Sequence, residues 1–384
     1  MAIKTLIGIP CLLNGGTEMQ TLSLVHALVS KGNICIILCY FEFSESIVNQ
    51  FIEAGSQVKL LKWNRRIHPI SFLIKLRKEI RSISPHIMHI QYFSPGFLPI
   101  LASKLSGLKK VIATVHQPYT KNHGEVAKLL LKLSTKLCSK FIVVSQNAEK
   151  SWFSSSNLLN EFKALSQQPK HFTIHNAVEQ SKIEDICILS EKLAVRKKLC
   201  ISNDTIVIGC VSRLSFEKGI DILIDAFVKL KKQKNNIFLL IIGSGSEEKH
   251  LKKKIVNAKM NENVKFMGYL NWEIAIQYMG TMDVVVVPSR FEGFGLTAAE
   301  AMSMGKIVIA SDSFGLKELI NHKENGLLFQ PENVEDLYRK LLFYYENECL
   351  IHDIRKKAKD TIKNKYDYPI YCRKINYLYS QLVN

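Results

Sequence analysis

The chain repeatedly places short, continuously apolar, β-branched runs between helical stretches. "DVVVVPS" (283–289) is one such run, and it does not alternate with polar residues. A strand that is apolar on both faces must be covered on both, which is the pattern of a parallel sheet wrapped by helices. In the first half these runs fall at 3–10, 33–39, 57–62, 86–90, 110–115, 139–144 and 171–175. In the second half they are "TIVIGCVS", "NIFLLIIGSGS", "NVKFMGYL", "MDVVVVPS" and "KIVIASDS". Helical periodicity fills most gaps; over 70–83, Phe72, Leu73, Leu76 and Ile80 recur at helical spacing. Two sets of strand–helix units in 384 residues, too many for one ordinary core, predict two doubly wound α/β domains in series.

The polar stretch between about 176 and 204 has no strand signal and marks the junction. Open α/β sheets bind ligands beyond the carboxyl ends of their strands. Two facing domains therefore predict a site in the cleft between them. The last stretch, 350–384, reads as helices rich in basic and aromatic residues.

Composition narrows the class. Hydrophobic content of 47% with 22% charged residues describes a globular chain, and no apolar run approaches the roughly 20 residues of a spanning helix. The opening residues read as a first strand and not as a signal peptide. Nine cysteines lie scattered, none at zinc spacing, which predicts buried thiols in a reducing cytosol. The net charge is +18, and residues 1–180 carry 21 Lys and Arg against nine Glu. Something acidic meets the first half: nucleic acid, an anionic membrane surface or a phosphorylated substrate.

The stretch "SRFEGFGLTAAEAM" (289–302) follows a buried strand and opens a helix from Leu296 to Met304. Gly293 and Gly295 allow close backbone approach, and a helix N-terminus suits a phosphate. Glu292 and Glu300 would flank that anion. They would repel a phosphate, so they fit better as acceptors for hydroxyls of a sugar and of a ribose; helix-start carboxylates are the plainer alternative. "CVSRLSFEKGID" (210–221) repeats the strand–loop–helix pattern with Arg213 and Lys218 in the loop, two cations able to neutralise a departing diphosphate. "IIGSGSEE" (241–248) lacks the small residue a dinucleotide fingerprint needs and reads as a tight turn.

In the first half, "PCLLNGGTEMQ" places Gly15 and Gly16 before a helix that Thr17 could cap. His116 ends a strand and would point into the cleft, while His86, His89 and His175 read as structural. Over 123–140, Lys128, Lys132, Lys136 and Lys140 recur beside Leu129, Leu130, Leu133 and Leu137. Two readings stay open for this helix: a core face with a solvated cationic face, or docking on anionic lipid head groups.

At these residues the chain resembles glycosyltransferase family 4, the nucleotide-sugar-dependent retaining transferases of GT-B fold. The matching pieces run in the family's order: "NGGTE", "IHNAVE", "SRLSFEKG", "IIGSGSEE", "VKFMGYL", "DVVVVPSRFEGFGLTAAEAMSMGKIVIASDSFGLKELI" and "ENGLLF". The resemblance implies an acceptor-binding domain over 1–180, a donor-binding domain over 181–365 and a helix over 366–384 returning to the first domain. It implies that Arg213 and Lys218 hold the donor diphosphate. Glu292 with the backbone of Gly293, Phe294, Gly295 and Leu296 would position sugar and phosphates, and Glu300 would accept ribose hydroxyls. Gly15, Gly16 and Thr17 would form the phosphate and acceptor loop, and His116 would stand near the transferred sugar. Three positions depart from the family pattern: Ala177 replaces a glycine, where a left-handed backbone would be strained, and His86 and Gln91 replace an Asp and a His.

The implied reaction moves a sugar from a UDP- or GDP-sugar to an acceptor hydroxyl with retained configuration, without metal or other cofactor. The expected partners are the nucleotide sugar, a glycan or glycolipid acceptor of cell-surface polysaccharide or lipopolysaccharide synthesis, and an anionic inner membrane surface; nucleic acid is not expected. The expected location is the cytoplasm, with peripheral contact at the membrane's cytoplasmic face. A sugar-nucleotide epimerase of the same architecture is the alternative, with a basic nucleic-acid-binding protein behind it.

Overall fold

The computed structural model describes residues 2–92, 97–189 and 192–383. The chain forms two compact units: residues up to Asn176 together with those from Tyr368 onward, and Ala177–Asp367.

The first unit carries β1 (Lys4–Ile9), β2 (Ile34–Cys39), β3 (Gln57–Leu60), β4 (Ile87–Tyr92), β5 (Val111–Val115), β6 (Lys140–Val143) and β7 (His171–Thr173). They form a parallel sheet in the order β3-β2-β1-β4-β5-β6-β7. Between the strands run α1 (Gly16–Val29), α2 (Glu45–Glu53), α3 (Pro69–Ile83), α4 (Phe97–Leu105), α5 (Gly124–Leu137) and α6 (Gln146–Phe153). One sheet face packs on α1 and α2 through Leu24, Leu28, Ile47 and Phe51. The other packs on α3 to α6 through Phe72, Leu76, Ile100, Leu131 and Trp152.

The second unit begins with α7 (Gln180–Leu189) and α8 (Lys192–Lys198). Its strands are β8 (Ile206–Val211), β9 (Ile237–Ile242), β10 (Val264–Phe266), β11 (Val284–Val287), β12 (Ile307–Ser311) and β13 (Leu327–Phe329), ordered β10-β9-β8-β11-β12-β13, again parallel. Helices α9 (Ile220–Lys231), α10 (Glu248–Asn257), α11 (Trp272–Gly280), α12 (Leu296–Ser303), α13 (Phe314–Leu319), α14 (Val334–Glu346) and α15 (Glu348–Thr361) complete it. The last helix, α16 (Tyr368–Val383), belongs to the first unit, where Ile375, Leu378 and Tyr379 join the core beside α1 and Tyr368 Oη donates to Ser23 O at 3.2 Å.

In each sheet the chain winds outward one way and then returns to build the other side. The reversal falls between β1 and β4 in one unit and between β8 and β11 in the other. The loops leaving these strands are where an open α/β sheet offers a crevice.

The apolar runs anticipate twelve of the thirteen strands among the described residues, within a few residues at their ends; β13 escapes because "LLF" is too short to stand out. Ala177 does not take a positive φ, so the missing glycine there costs no strain. The basic helix of the first half stops at Leu137, and Lys140 lies on β6 instead, buried, with Nζ donating to Gln168 O at 2.7 Å and Pro169 O at 3.1 Å. Its buried side holds Leu131, Ser134 and Thr135, whereas Leu129 and Leu133, read as core from spacing, are exposed.

Candidate active site

In the second unit, the loops following β8 and β11 lie against each other. Gly219 sits at φ +64°, and a Cβ there would come within 2.1 Å of Pro288 O, so only glycine lets the two loops close up. Arg290 N donates to Glu217 O at 2.8 Å across the same seam. This contact brings Lys218 and Glu292 together, with Nζ 2.7 Å from Oε2. Ser289 Oγ donates to the same carboxylate at 3.3 Å. Arg213 is more loosely held: its side chain is 62% exposed and meets Glu217 at 3.4 Å.

Helix α12 starts at Leu296, and its N-cap Gly295 takes φ +100° and offers no side-chain cap. The first-turn amides are thus left for an anion, and the helix dipole adds to their pull. Of the loop residues read from sequence, Phe294 turns its buried ring edge-on to Tyr366, with centroids 5.5 Å apart. Gly315 N donates to Glu292 O at 3.1 Å and anchors the turn from behind.

Glu300 lies on α12 beyond the first turn. It accepts a hydrogen bond from Trp272 Nε1 at 2.8 Å, and burial pushes its carboxyl up to about 7. Trp272 was not singled out from sequence, since its position on α11 tells nothing about which helix it faces. The 243–246 segment is a tight turn here, with Leu214 N donating to Ser244 O at 2.9 Å.

In the first unit, Gly15 is the N-cap of α1 at φ −160°, with no side-chain cap. Thr17 therefore does not cap the helix; it is buried inside the first turn. Glu18, which sequence reasoning passed over, is buried beneath the loop and accepts from Leu13 N at 3.3 Å and from Cys11 Sγ at 3.6 Å. Burial and the adjacent carboxylate push the Cys11 thiol up to about 12.

His116 follows β5, and its Nε2 lies 2.8 Å from Gln91 Oε1. The amide oxygen only accepts, so Nε2 carries the proton and Nδ1 presents a lone pair. Among the described residues Nδ1 is buried with no hydrogen-bond partner, and burial holds the imidazole down to about 3. The ring is neutral at physiological pH and acts as an acceptor. His89 bridges Tyr379 Oη and Thr114 Oγ1, both at 2.8 Å, and His86 Nδ1 accepts from Lys4 N at 2.9 Å, so both are structural.

Two parallel sheets of this topology, one with a cation–carboxylate pair beside a helix N-terminus that has no side-chain cap, are the GT-B architecture. Residues 191–366 match the model for glycosyl transferases group 1, and residues 14–154 match that for Glycosyltransferase Family 4. The O-antigen biosynthesis glycosyltransferase WclY of Escherichia coli is 30% identical over 270 residues, 68% of this chain and 70% of that protein. Alpha-monoglucosyldiacylglycerol synthase of Acholeplasma laidlawii is 24% identical over 82% of this chain and 80% of its own. The crystal structure of Anabaena Alr3699/HepE in complex with UDP and glucose superposes with a TM-score of 0.81 at 20% identity, covering 98% of this chain and 99% of that one. Two archaeal relatives, both uncharacterized glycosyltransferases of Methanocaldococcus jannaschii, are matched over 47% and 58% of their length. The chain belongs to glycosyltransferase family 4.

Proposed function

We propose that the protein transfers a sugar from a UDP- or GDP-sugar to an acceptor hydroxyl with retention of anomeric configuration. The observation that carries this reading is the Lys218–Glu292 pair, 2.7 Å apart beside the open N-terminus of α12. When the bond from the anomeric carbon to the β-phosphate oxygen breaks, the electron pair leaves with the diphosphate. Lys218, Arg213 and the α12 amides would stabilise that charge, with no metal ion or cofactor called for in this reading. Glu292, exchanging its ammonium partner for sugar hydroxyls, would orient the ring. The acceptor hydroxyl attacks from the face the diphosphate vacates and gives its proton to a leaving phosphate oxygen. Glu300 reads the ribose, and His116, an acceptor at Nδ1, would take a hydrogen bond from a substrate hydroxyl.

The donor is assigned to the second unit and the acceptor to the first, through the Gly15–Thr17 loop. The names of the relatives favour a cell-surface glycan or glycolipid acceptor. Residues 62–140 hold 15 Lys and Arg against two Glu. On α3 and α5, which cover one sheet face, Ile74 is 64% and Val126 72% exposed, beside the exposed Ile70, Leu129 and Leu133. Cations around exposed aliphatic side chains suit an anionic bilayer better than nucleic acid, which offers no hydrocarbon. Among the described residues no helix is long and apolar enough to cross a membrane. We therefore assign peripheral work at the cytoplasmic membrane face.

The test is incubation with a panel of UDP- and GDP-sugars and lipid acceptors. Nucleoside diphosphate release should require acceptor, and the product's anomeric coupling in NMR should match the donor's. Conversion of the donor sugar without acceptor would assign an epimerase instead, and an inverted product would remove the retaining mechanism.

A further inference from the structure

Arg290 stands within the donor-loop stretch but is not a free cation. Its side chain is only 12% exposed. Nη1 and Nη2 form a fork with Asp221, at 3.0 Å to Oδ1 and 2.8 Å to Oδ2. Nη1 also donates to Phe216 O at 2.6 Å and Nε to Glu332 at 3.0 Å, while the guanidinium covers the Phe216 ring at 3.9 Å. One side chain thereby ties the loop after β11 to the loop and helix start after β8, and to the turn after β13. With its nitrogens occupied this way, Arg290 has no fork left to offer a phosphate. It fastens the 216–221 segment, which carries Lys218, onto the segment that carries Glu292.

We infer that Arg290 and Asp221 are a positioning pair that sets the Lys218–Glu292 geometry, and through it the grip on the donor diphosphate. This rests on the donor-site reading above. A planar, five-donor guanidinium can satisfy a carboxylate, a backbone carbonyl and a second acid together; an ammonium on a flexible stem cannot. Displacement of a positioned group by about 1 Å costs up to about a hundredfold in rate. Arg290→Lys, which keeps the charge and loses the fork, is therefore the informative change.

The experiment compares wild type, Arg290→Lys, Asp221→Asn, the double variant and Glu332→Gln. UDP and GDP binding is followed by calorimetry, and hydrogen exchange over 213–219 is measured without ligand. We expect both single variants to weaken the nucleoside diphosphate by about tenfold. Exchange over 213–219 should accelerate while the melting temperature stays near wild type, and the double variant should be no worse than either single one. Glu332→Gln keeps an amide oxygen that accepts from Arg290 Nε, so it should bind as wild type does. Wild-type binding by Arg290→Lys, or losses that simply add in the double variant, would overturn the pairing. Should wild type bind neither UDP nor GDP, the donor-site reading falls. The pairing is then judged by exchange in Asp221→Asn alone, where wild-type protection over 213–219 sinks it. If Arg290→Lys does not fold, Asp221→Asn decides by both readouts.

Discussion

Lys218 Nζ lies 2.7 Å from Glu292 Oε2, joining two loops 74 residues apart in sequence. The carboxylate keeps the ammonium in place and partly neutral in effect, so an arriving diphosphate must compete for it. Removing the ammonium leaves the carboxylate beside the leaving group with nothing to offset it. Lys218→Ala should lower the rate of UDP or GDP release by about 10²- to 10³-fold, in the range seen when one transition-state donor is lost. Arg213→Ala should also lower it, and EDTA should leave the wild-type rate unchanged. Wild-type rates in both variants would remove charge neutralisation by these cations, and loss of activity in EDTA would bring a metal into the mechanism.

Glu300 gives a pH signature. On the proposed reading Glu300 accepts ribose hydroxyls as a carboxylate, and with the group pushed up to about 7 that form grows as pH rises through neutrality. The affinity for UDP or GDP should rise from pH 6 to pH 8 more steeply in wild type than in Glu300→Gln; calorimetry on both variants cancels the titration of the phosphates. Stability runs the opposite way. The folded protein holds this proton more tightly than the unfolded chain, whose carboxyl titrates near 4.5, so stability is lost as pH climbs from there to about 7. Glu300→Gln has no such loss, and its melting temperature relative to wild type should increase across that window. Parallel melting curves would show that the carboxyl is not held up.

Much of the fold is legible in the sequence, for a definite reason. Strands buried on both faces must be apolar throughout, so "VIATV" and "DVVVVPS" announce themselves, and the residues that follow such strands fall at the ligand-binding edge whatever the sheet order. Partners are another matter. Arg290 meets Asp221 across 69 residues because β8 and β11 are neighbours, and nothing local in "PSRFEG" says so. The faces of α5 were misjudged because its leucines lie all around the helix; which of them is buried depends on where the sheet runs. Thr17 looks like a cap by residue type, yet the N-cap is Gly15, two residues earlier, and Thr17 lies inside the helix.

Exposed aliphatic side chains among lysines on α3 and α5 predict adsorption to anionic vesicles. The protein should co-sediment with phosphatidylglycerol-containing vesicles and not with pure phosphatidylcholine, and added salt should weaken the association. Lys132→Gln with Lys136→Gln should weaken it by roughly tenfold or more, since each cation near the surface contributes about 1 kcal/mol. Ile74→Gln with Leu129→Gln should leave the first encounter intact and shorten residence on the vesicle. Equal binding to neutral vesicles, or indifference to both pairs of changes, would send the cationic face back to a solvated role.

Arg196 is the residue whose loss should damage the second unit most. It is 2% exposed, and its two terminal nitrogens donate to the carbonyls of Ser202, Asn203, Thr205 and Thr281 and to Asp283 Oδ2 at 2.7 Å. Asp283 in turn accepts from Val207 N at 2.9 Å, so one guanidinium fastens the starts of β8 and β11, the two strands whose far ends carry the site. Arg196→Ala would leave the buried Thr281 carbonyl without this donor and the half-buried Asp283 carboxylate without its counter-charge, a loss of about 3 kcal/mol. Lysine restores charge without the fork and should recover only part of it. Urea unfolding of the two variants should show the alanine midpoint lowest and lysine between it and wild type; a shift below about 1 kcal/mol for alanine would mean that water replaces the guanidinium at no cost.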